Sequence, residues 1–315
     1  MKRNYNQNRI KIIFILSLVS FFALYSLPCS ANQKLSVVAS IFPLQEFALA
    51  VGGDRVKVDL LLTAGAEPHT WEPKPSDLIT LSQADIFLYL GAGLEPWVDD
   101  LIKGINRPSL HVIEISKGIW TQDSKAGKEH KKEHLHSHGH VDPHIWLNFH
   151  YDQIIVGQIA EFFTEQDPEG KDYYHQNALI YRKKLKALDQ KYQQGLKNCR
   201  HGKIFLAGHS AFGYLAERYN LEQVPLYGIS PDAEPTPKKL AKVVDKARKH
   251  DIKVIYFESL ASDRMAQVLA QEIGALVLAL NPGPNLTKEQ IRSGVTFLSL
   301  MEKNLINLRE GLICE

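Results

Sequence analysis

Apolar, β-branched runs punctuate the chain at regular intervals. They read LSVVAS (35–40), VKVDLLL (56–62), DIFLYLG (85–91), HVIEI (111–115), KIFLAG (203–208), VPLYGI (224–229), KVIYFES (253–259) and ALVLAL (275–280). Runs of this length and composition predict strands buried on both faces. Segments with a repeat near 3.6 residues lie between many of them, for example LAKVVDKARKH (240–250) and RMAQVLAQEIG (264–274). Strands alternating with helices predict parallel sheets covered on both sides by helices. The strands fall into two groups, 35–115 and 203–280, each sufficient for one small doubly wound sheet.

Between the groups lies DPEGKDYYHQNALIYRKKLKALDQKYQQGLKNC (167–199). Asp167 can cap and Pro168 can open a helix. Tyr181, Leu185, Leu188, Tyr192 and Leu196 recur at steps of three and four, and no Pro or Gly interrupts Lys171 to Gln194. The pattern predicts one long amphipathic helix, a stiff connector between two similar α/β lobes. A ligand site is expected in the cleft between them. The expected divisions are 1–31 as an export signal, 32–166 as an N-terminal lobe, 167–199 as the linking helix and 200–315 as a C-terminal lobe.

The N-terminus is patterned differently. Lys2, Arg3, Arg9 and Lys11 precede the apolar run 12–27, and Pro28, Cys29, Ser30 and Ala31 follow it. A basic segment, an apolar segment and small residues make a cleavable secretory signal. A retained membrane anchor and a lipid on Cys29 are the less favoured readings, the latter because Ser26, Leu27 and Pro28 make a poor lipidation box. Export predicts a periplasmic or otherwise extracytoplasmic protein.

Composition narrows the function. The chain has 315 residues, with 37 Lys and Arg against 35 Asp and Glu, for a net charge of +2. Such balance excludes the basic footprint of a nucleic-acid binder. Removing residues 1–31 takes away four positive charges and no acid, which turns +2 into −2. Of three cysteines, Cys199 and Cys314 remain after export. They can form a disulfide in an oxidising compartment or stay as two buried thiols.

Thirteen histidines are unevenly spread. The segment 120–143 has no strand-like or periodic pattern, and His130, His134, His136, His138 and His140 fall within eleven residues. This biased loop predicts weak, multiple metal binding that feeds or covers a tighter site. His69 follows the second strand in GAEPHTWEPKPSD, His144 sits in DPHIWLN, and His209 follows the fifth strand in LAGHSAFGYLAERY. Ligand residues in open α/β sheets lie beyond the carboxyl ends of strands. Three imidazoles suit a divalent transition metal, Zn²⁺ most comfortably. Trp71, Trp97, Trp120 and Trp146 read as packing or cleft-wall residues.

Other chemistries lack their motifs. There is no HExxH and no GxxxxGK[ST], and in GHSAFG the second glycine stands three residues after Ser210, which breaks the nucleophile-elbow spacing. No catalytic residues are assigned, and an enzyme is not expected. A zinc-dependent hydrolase using an open fourth position, and an adhesin with a structural metal, are the readings from other classes.

On these residues the chain resembles the solute-binding proteins of bacterial zinc and manganese ABC importers, the ZnuA-like group. The likeness spans the mature chain. It is carried by EPHTWEPKPSDL (67–78), QADIFLYLGAGLEPWV (83–98), DPHIWLN (142–148), GHSAFGYLAERY (208–219), GISPDAEPTPKKL (228–240), KVIYFES (253–259) and LNPGPNLTKEQ (280–290). The resemblance implies two α/β lobes, a long backbone helix, and a metal between them on His69, His144 and His209. It implies a monomer that delivers Zn²⁺ to a membrane permease driven by a cytoplasmic ATPase. Manganese or iron is the alternative cargo. Related proteins add an acid near LNPGPNL, where this chain has Asn281 and Pro284. The fourth ligand is therefore open among Asn281, Glu67 and water, with Glu258 expected to hold a backbone or loop in place. Loss of that anion favours zinc over manganese.

Overall fold

The computed structural model describes residues 34–119, 142–228, 236–258 and 263–315. The export signal, Cys29, Trp120 and the five loop histidines all lie outside them. Among the described residues no helix is long and apolar enough to cross a membrane.

A strand forms at or beside each of the eight expected runs: β1 Leu35–Ala39, β2 Val56–Leu60, β3 Ile86–Tyr89, β4 His111–Glu114, β5 Lys203–Leu206, β6 Glu222–Pro225, β7 Val254–Phe257 and β8 Leu276–Ala279, with β6 starting earlier than expected and overlapping the run 224–229 only at Val224 and Pro225. They make two four-stranded sheets in the orders β2-β1-β3-β4 and β6-β5-β7-β8, with parallel neighbours throughout. The two orders are the same topology used twice. In each sheet the chain reverses direction of travel between the two central strands, β1 and β3 or β5 and β7. A crevice opens at such a switch point, beyond the carboxyl ends of the strands.

Helices α1 Phe42–Gly52, α2 Pro75–Ser82 and α3 Val98–Ile105 accompany the first sheet. Then come α4 Phe149–Gln166, α5 Lys171–Gly195, α6 Gly213–Arg218, α7 Pro237–Lys249, α8 Arg264–Ile273, α9 Lys288–Arg292 and α10 Phe297–Leu312. Local chemistry sets several of their starts. Asn148 caps α4 by accepting the His150 N–H at 3.1 Å. Pro75 opens α2, where the Asp77 carboxylate accepts the Lys74 N–H at 2.7 Å.

The long helix is α5, and it is more than a bare connector. A short turn at Pro168–Gly170 folds it back onto α4, and α1 and α10 pack on it as well. Tyr174, Ala178, Tyr181, Leu185, Leu188 and Tyr192 are its buried stripe. One continuous apolar core therefore runs from the first sheet through α4 and α5 to one face of the second, including Ile204, Leu206, Tyr256 and Leu308. The other face of the second sheet has its own smaller core around Phe205, Ile255 and Leu269.

Polar ties fix α5 to both sides. Tyr181 donates to Glu46 of α1 at 2.8 Å, and the same carboxylate accepts the Phe297 N–H at the start of α10 at 2.5 Å. Near the other end, Asp189 accepts from Arg218 at 2.6 and 2.5 Å and from Tyr219 at 2.8 Å. A disulfide links Cys199 and Cys314 in the structure. It joins the chain just past α5 to the C-terminus across 115 residues. A loop that long is worth about 5 kcal/mol in chain entropy.

The two switch points are filled differently. In the first sheet the Glu95 carboxylate occupies the position. It accepts from Ser40 Oγ at 2.6 Å and from the Leu90 and Gly91 N–H groups at 2.9 and 3.0 Å. Burial outweighs these donors and pushes the Glu95 carboxyl up to about 7. Between pH 4.5 and 7 the unfolded chain gives up this proton while the folded chain retains it. Stability from this group is therefore full below pH 4.5 and is lost as pH rises towards 7, by about 3 kcal/mol. Chemical denaturation of wild type and Glu95→Gln across pH 4.5–7.5 should show this downward slope in wild type and its loss in the variant.

Candidate metal centre

The second switch point carries chemistry. His209 lies three residues beyond the end of β5, and Glu258 immediately follows β7. The Glu258 carboxylate accepts the His209 backbone N–H at 2.7 Å and reaches its ring Nδ1 at 2.8 Å. The expectation that Glu258 steadies backbone is met, and its larger role is to orient the imidazole.

A second couple has the same design. Asp142 Oδ1 accepts the His144 backbone N–H at 3.0 Å and lies 2.7 Å from its Nδ1. Asp142 is fully buried and His144 is 2% exposed. A carboxylate can only accept, so each Nδ1 carries the hydrogen and each Nε2 of the neutral ring presents a lone pair. Those lone pairs converge. His144 Nε2 lies 3.1 Å from His209 Nε2 and 3.4 Å from His69 Nε2. Ligand atoms of all three lie within 4.8 Å of one another. Nitrogens bound tetrahedrally at 2.0–2.1 Å from Zn²⁺ would be about 3.3 Å apart. Acceptors this close repel unless a cation or proton sits among them.

His69 reaches the cluster from the first lobe. Glu67–Trp71 forms a tight turn through the Thr70 and Trp71 N–H groups on Glu67 O. Trp97 Nε1 donates to Pro68 O at 3.1 Å, and Trp71 packs edge-on against Trp97 at 4.6 Å. His69 is half-buried and borders a surface cleft with Trp71, Glu72, Trp97 and Asp100. His69 is thus the one of the three histidines that borders this cleft, while His144 and His209 are buried behind it.

Burial and the two neighbouring imidazoles drive the His69 pKa down to about 3, and burial lowers that of His144. His209 moves upward: burial opposes its charging, but Glu258 outweighs burial. The site therefore holds neutral imidazoles at two positions and resists gathering protons at all three.

The remaining candidates sort plainly. Among the described residues the ligating group contains the three histidines and no carboxylate. Asn281 is buried, and one lone pair of its Oδ1 accepts the Gly283 N–H at 2.8 Å. The stretch that follows it acts as a brace across the lobes. Asn285 Nδ2 donates to Thr63 O and Ala66 O at 2.7 and 3.0 Å, and Leu286 O accepts the Gly65 N–H at 2.9 Å. Trp146 donates to Pro282 O at 2.7 Å and packs on His144 at 5.2 Å. Glu67 accepts the His69 N–H at 3.4 Å, and its charge favours protonated His209.

Asp142 is the functional residue that reading the sequence missed. A signal was present. Glu67-Pro68-His69 and Asp142-Pro143-His144 repeat the order acid, proline, histidine. In both, the acid accepts the N–H of its own histidine.

Comparisons with known proteins identify the family. Residues 37–311 match the family described as ZnuA, zinc-uptake complex component A, periplasmic. The chain is 39% identical over 290 residues to the high-affinity zinc uptake system protein ZnuA of Bacillus subtilis, covering 90% of this chain and 89% of that protein. It is 36% identical to the zinc-binding lipoprotein AdcA of Streptococcus pneumoniae over 94% of this chain but only 60% of that longer protein. The solved Zn(II)-bound ZnuA-like domain of the S. pneumoniae protein superposes with a TM-score of 0.72 at 34% identity, covering 89% of this chain and 99% of that one.

The two carboxylates predict a measurable effect. Asp142→Ala and Glu258→Ala should each weaken divalent-metal affinity by roughly ten- to a hundredfold, read by competition with a chromogenic chelator. His144→Ala and His209→Ala should cost more in the same titration.

Proposed function

The chain belongs to the ZnuA family of zinc-uptake complex components, and from that membership we propose that it captures Zn²⁺ outside the cytoplasmic membrane and hands it to an ABC importer. The observation that carries this reading is the cluster of three convergent Nε2 atoms with no carboxylate oxygen in the ligating group. Nitrogen-only donor sets suit zinc, whereas manganese prefers oxygen. His69, His144 and His209 are the proposed ligands, and a solvent molecule completes the four-coordinate shell.

Ligands from both lobes let occupancy couple them, so bound zinc biases the closed arrangement. The loaded protein, acting as a monomer, docks on the membrane permease, whose ATPase works on the cytoplasmic side. Binding and release without chemical change of the cargo fit a solute-binding protein. The basic and apolar start of the chain supports extracytoplasmic placement. The name lipoprotein borne by the S. pneumoniae relative weighs against treating a lipid on Cys29 as the lesser case. The histidines at 130, 134, 136, 138 and 140 are proposed as auxiliary weak sites that raise local zinc concentration.

Elemental analysis and competition titration of the chain lacking residues 1–31 test this. One tight Zn²⁺ per chain is expected, lost in His69→Ala, with manganese bound far more weakly. Deleting residues 124–140 should lower the total number of ions and spare the tight site. Equal affinity for manganese would overturn the zinc reading.

Acidity supplies a further check. Only neutral imidazole ligates, and His209 has its pKa raised above 6.5, so it protonates first as pH falls. Zinc affinity should drop steadily from pH 7.5 to 5. Affinity unchanged down to pH 5 would contradict histidine ligation.

A further inference from the structure

GHSAFG, residues 208–213, fails as a nucleophile elbow, yet its two glycines sit at the two carboxylates that orient the metal-site imidazoles. A Cβ on Gly208 would lie 2.9 Å from Cδ of Glu258, with Oε1 nearer still. A Cβ on Gly213 would lie 2.6 Å from Oδ2 of Asp142. Real side chains do not approach so closely. Neither glycine has a positive φ, so the backbone itself would accept alanine. What excludes a methyl group at Gly208 is the carboxylate; at Gly213 it is chiefly the carboxylate, with Gln223 Nε2 also close at 3.3 Å.

The loop between the glycines cannot easily step aside. Gln223 of β6 accepts the Phe212 N–H at 3.0 Å and donates to Ser210 Oγ at 2.8 Å. The Ser210 N–H donates to Gly228 O at 2.6 Å. Glu258 and Asp142 are 5% and 0% exposed. The colliding atoms are the ends of side chains, so an added methyl group would be relieved by swinging a carboxylate off its histidine.

We propose that Gly208 and Gly213 are positioning residues for the metal site, each leaving the space in which one carboxylate fixes one imidazole. Gly208 acts on His209 through Glu258, and Gly213 acts on His144 through Asp142. A single six-residue segment thus sets two of the three ligands. This inference rests on the assignment of the three histidines as zinc ligands.

Double-mutant cycles on the chain lacking residues 1–31 test it, read by chelator-competition titration with Zn²⁺. Gly208→Ala and Gly213→Ala should each weaken zinc binding by roughly ten- to a hundredfold. The loss should depend on the partner carboxylate. In a Glu258→Ala background Gly208→Ala should add less than about twofold, whereas in an Asp142→Ala background it should keep its full factor. Gly213→Ala should show the mirror pattern. The visible absorption bands of Co²⁺-loaded Gly208→Ala should shift from wild type, a change that a merely looser fold would not produce. Should Gly208→Ala fail to fold, Gly208→Ala/Glu258→Ala should recover, since the clash is gone. The proposal is overturned if Gly208→Ala titrates like wild type, if its loss persists undiminished in Glu258→Ala, or if that double variant stays unfolded. Equal zinc binding by wild type and His69→Ala would instead sink the ligand assignment on which it rests.

Discussion

Three imidazole nitrogens face one another at distances where their lone pairs repel, and the protein is built to keep them there. The constraint comes from the far side of two rings. Asp142 and Glu258 each accept from the backbone and the Nδ1 of one histidine. This fixes tautomer and orientation together and leaves Nε2 as the only outward valence. A cation relieves the repulsion at once. Burial raises the cost of meeting it with protons instead, most clearly at His69 and His144.

The fold delivers these groups by using one sheet topology twice and spending the two switch points differently. In the first sheet Glu95 fills the crevice from within, tied to Ser40, Leu90 and Gly91. In the second, Glu258 occupies the matching place but holds a histidine. His69 must then be carried in from the other lobe. Its loop is braced by Asn285, Leu286 and Trp97. A core continuous through α4 and α5 joins the lobes on a shared support.

Much of this was legible in the chain. Eight apolar runs marked eight strands, most cleanly the central β1, β3, β5 and β7, which are largely buried; the edge strands β4 and β8 are largely exposed or half-buried, against the expectation of burial on both faces. The Tyr181–Leu196 repeat marked α5. His69 and His209 stood out because each follows a strand. The C-terminal helix α10 was not anticipated, although Thr296 and Ser299 carry its capping box. Asp142 escaped notice because a carboxylate that holds a histidine looks like any other acid until the ring is placed against it. Asn281 stood out as a ligand candidate, but its bond from the Gly283 N–H is visible only in the fold. Gly208 and Gly213 were weighed only as a motif, since the need for an absent side chain becomes visible only when its neighbour is in view.

X-ray absorption at the zinc K-edge of the loaded protein tests the central claim most directly. The account predicts a first shell of nitrogen and oxygen scatterers at about 2.0 Å, with outer-shell features of three imidazole rings. A shell containing sulfur, or one with fewer than three imidazoles, would contradict it.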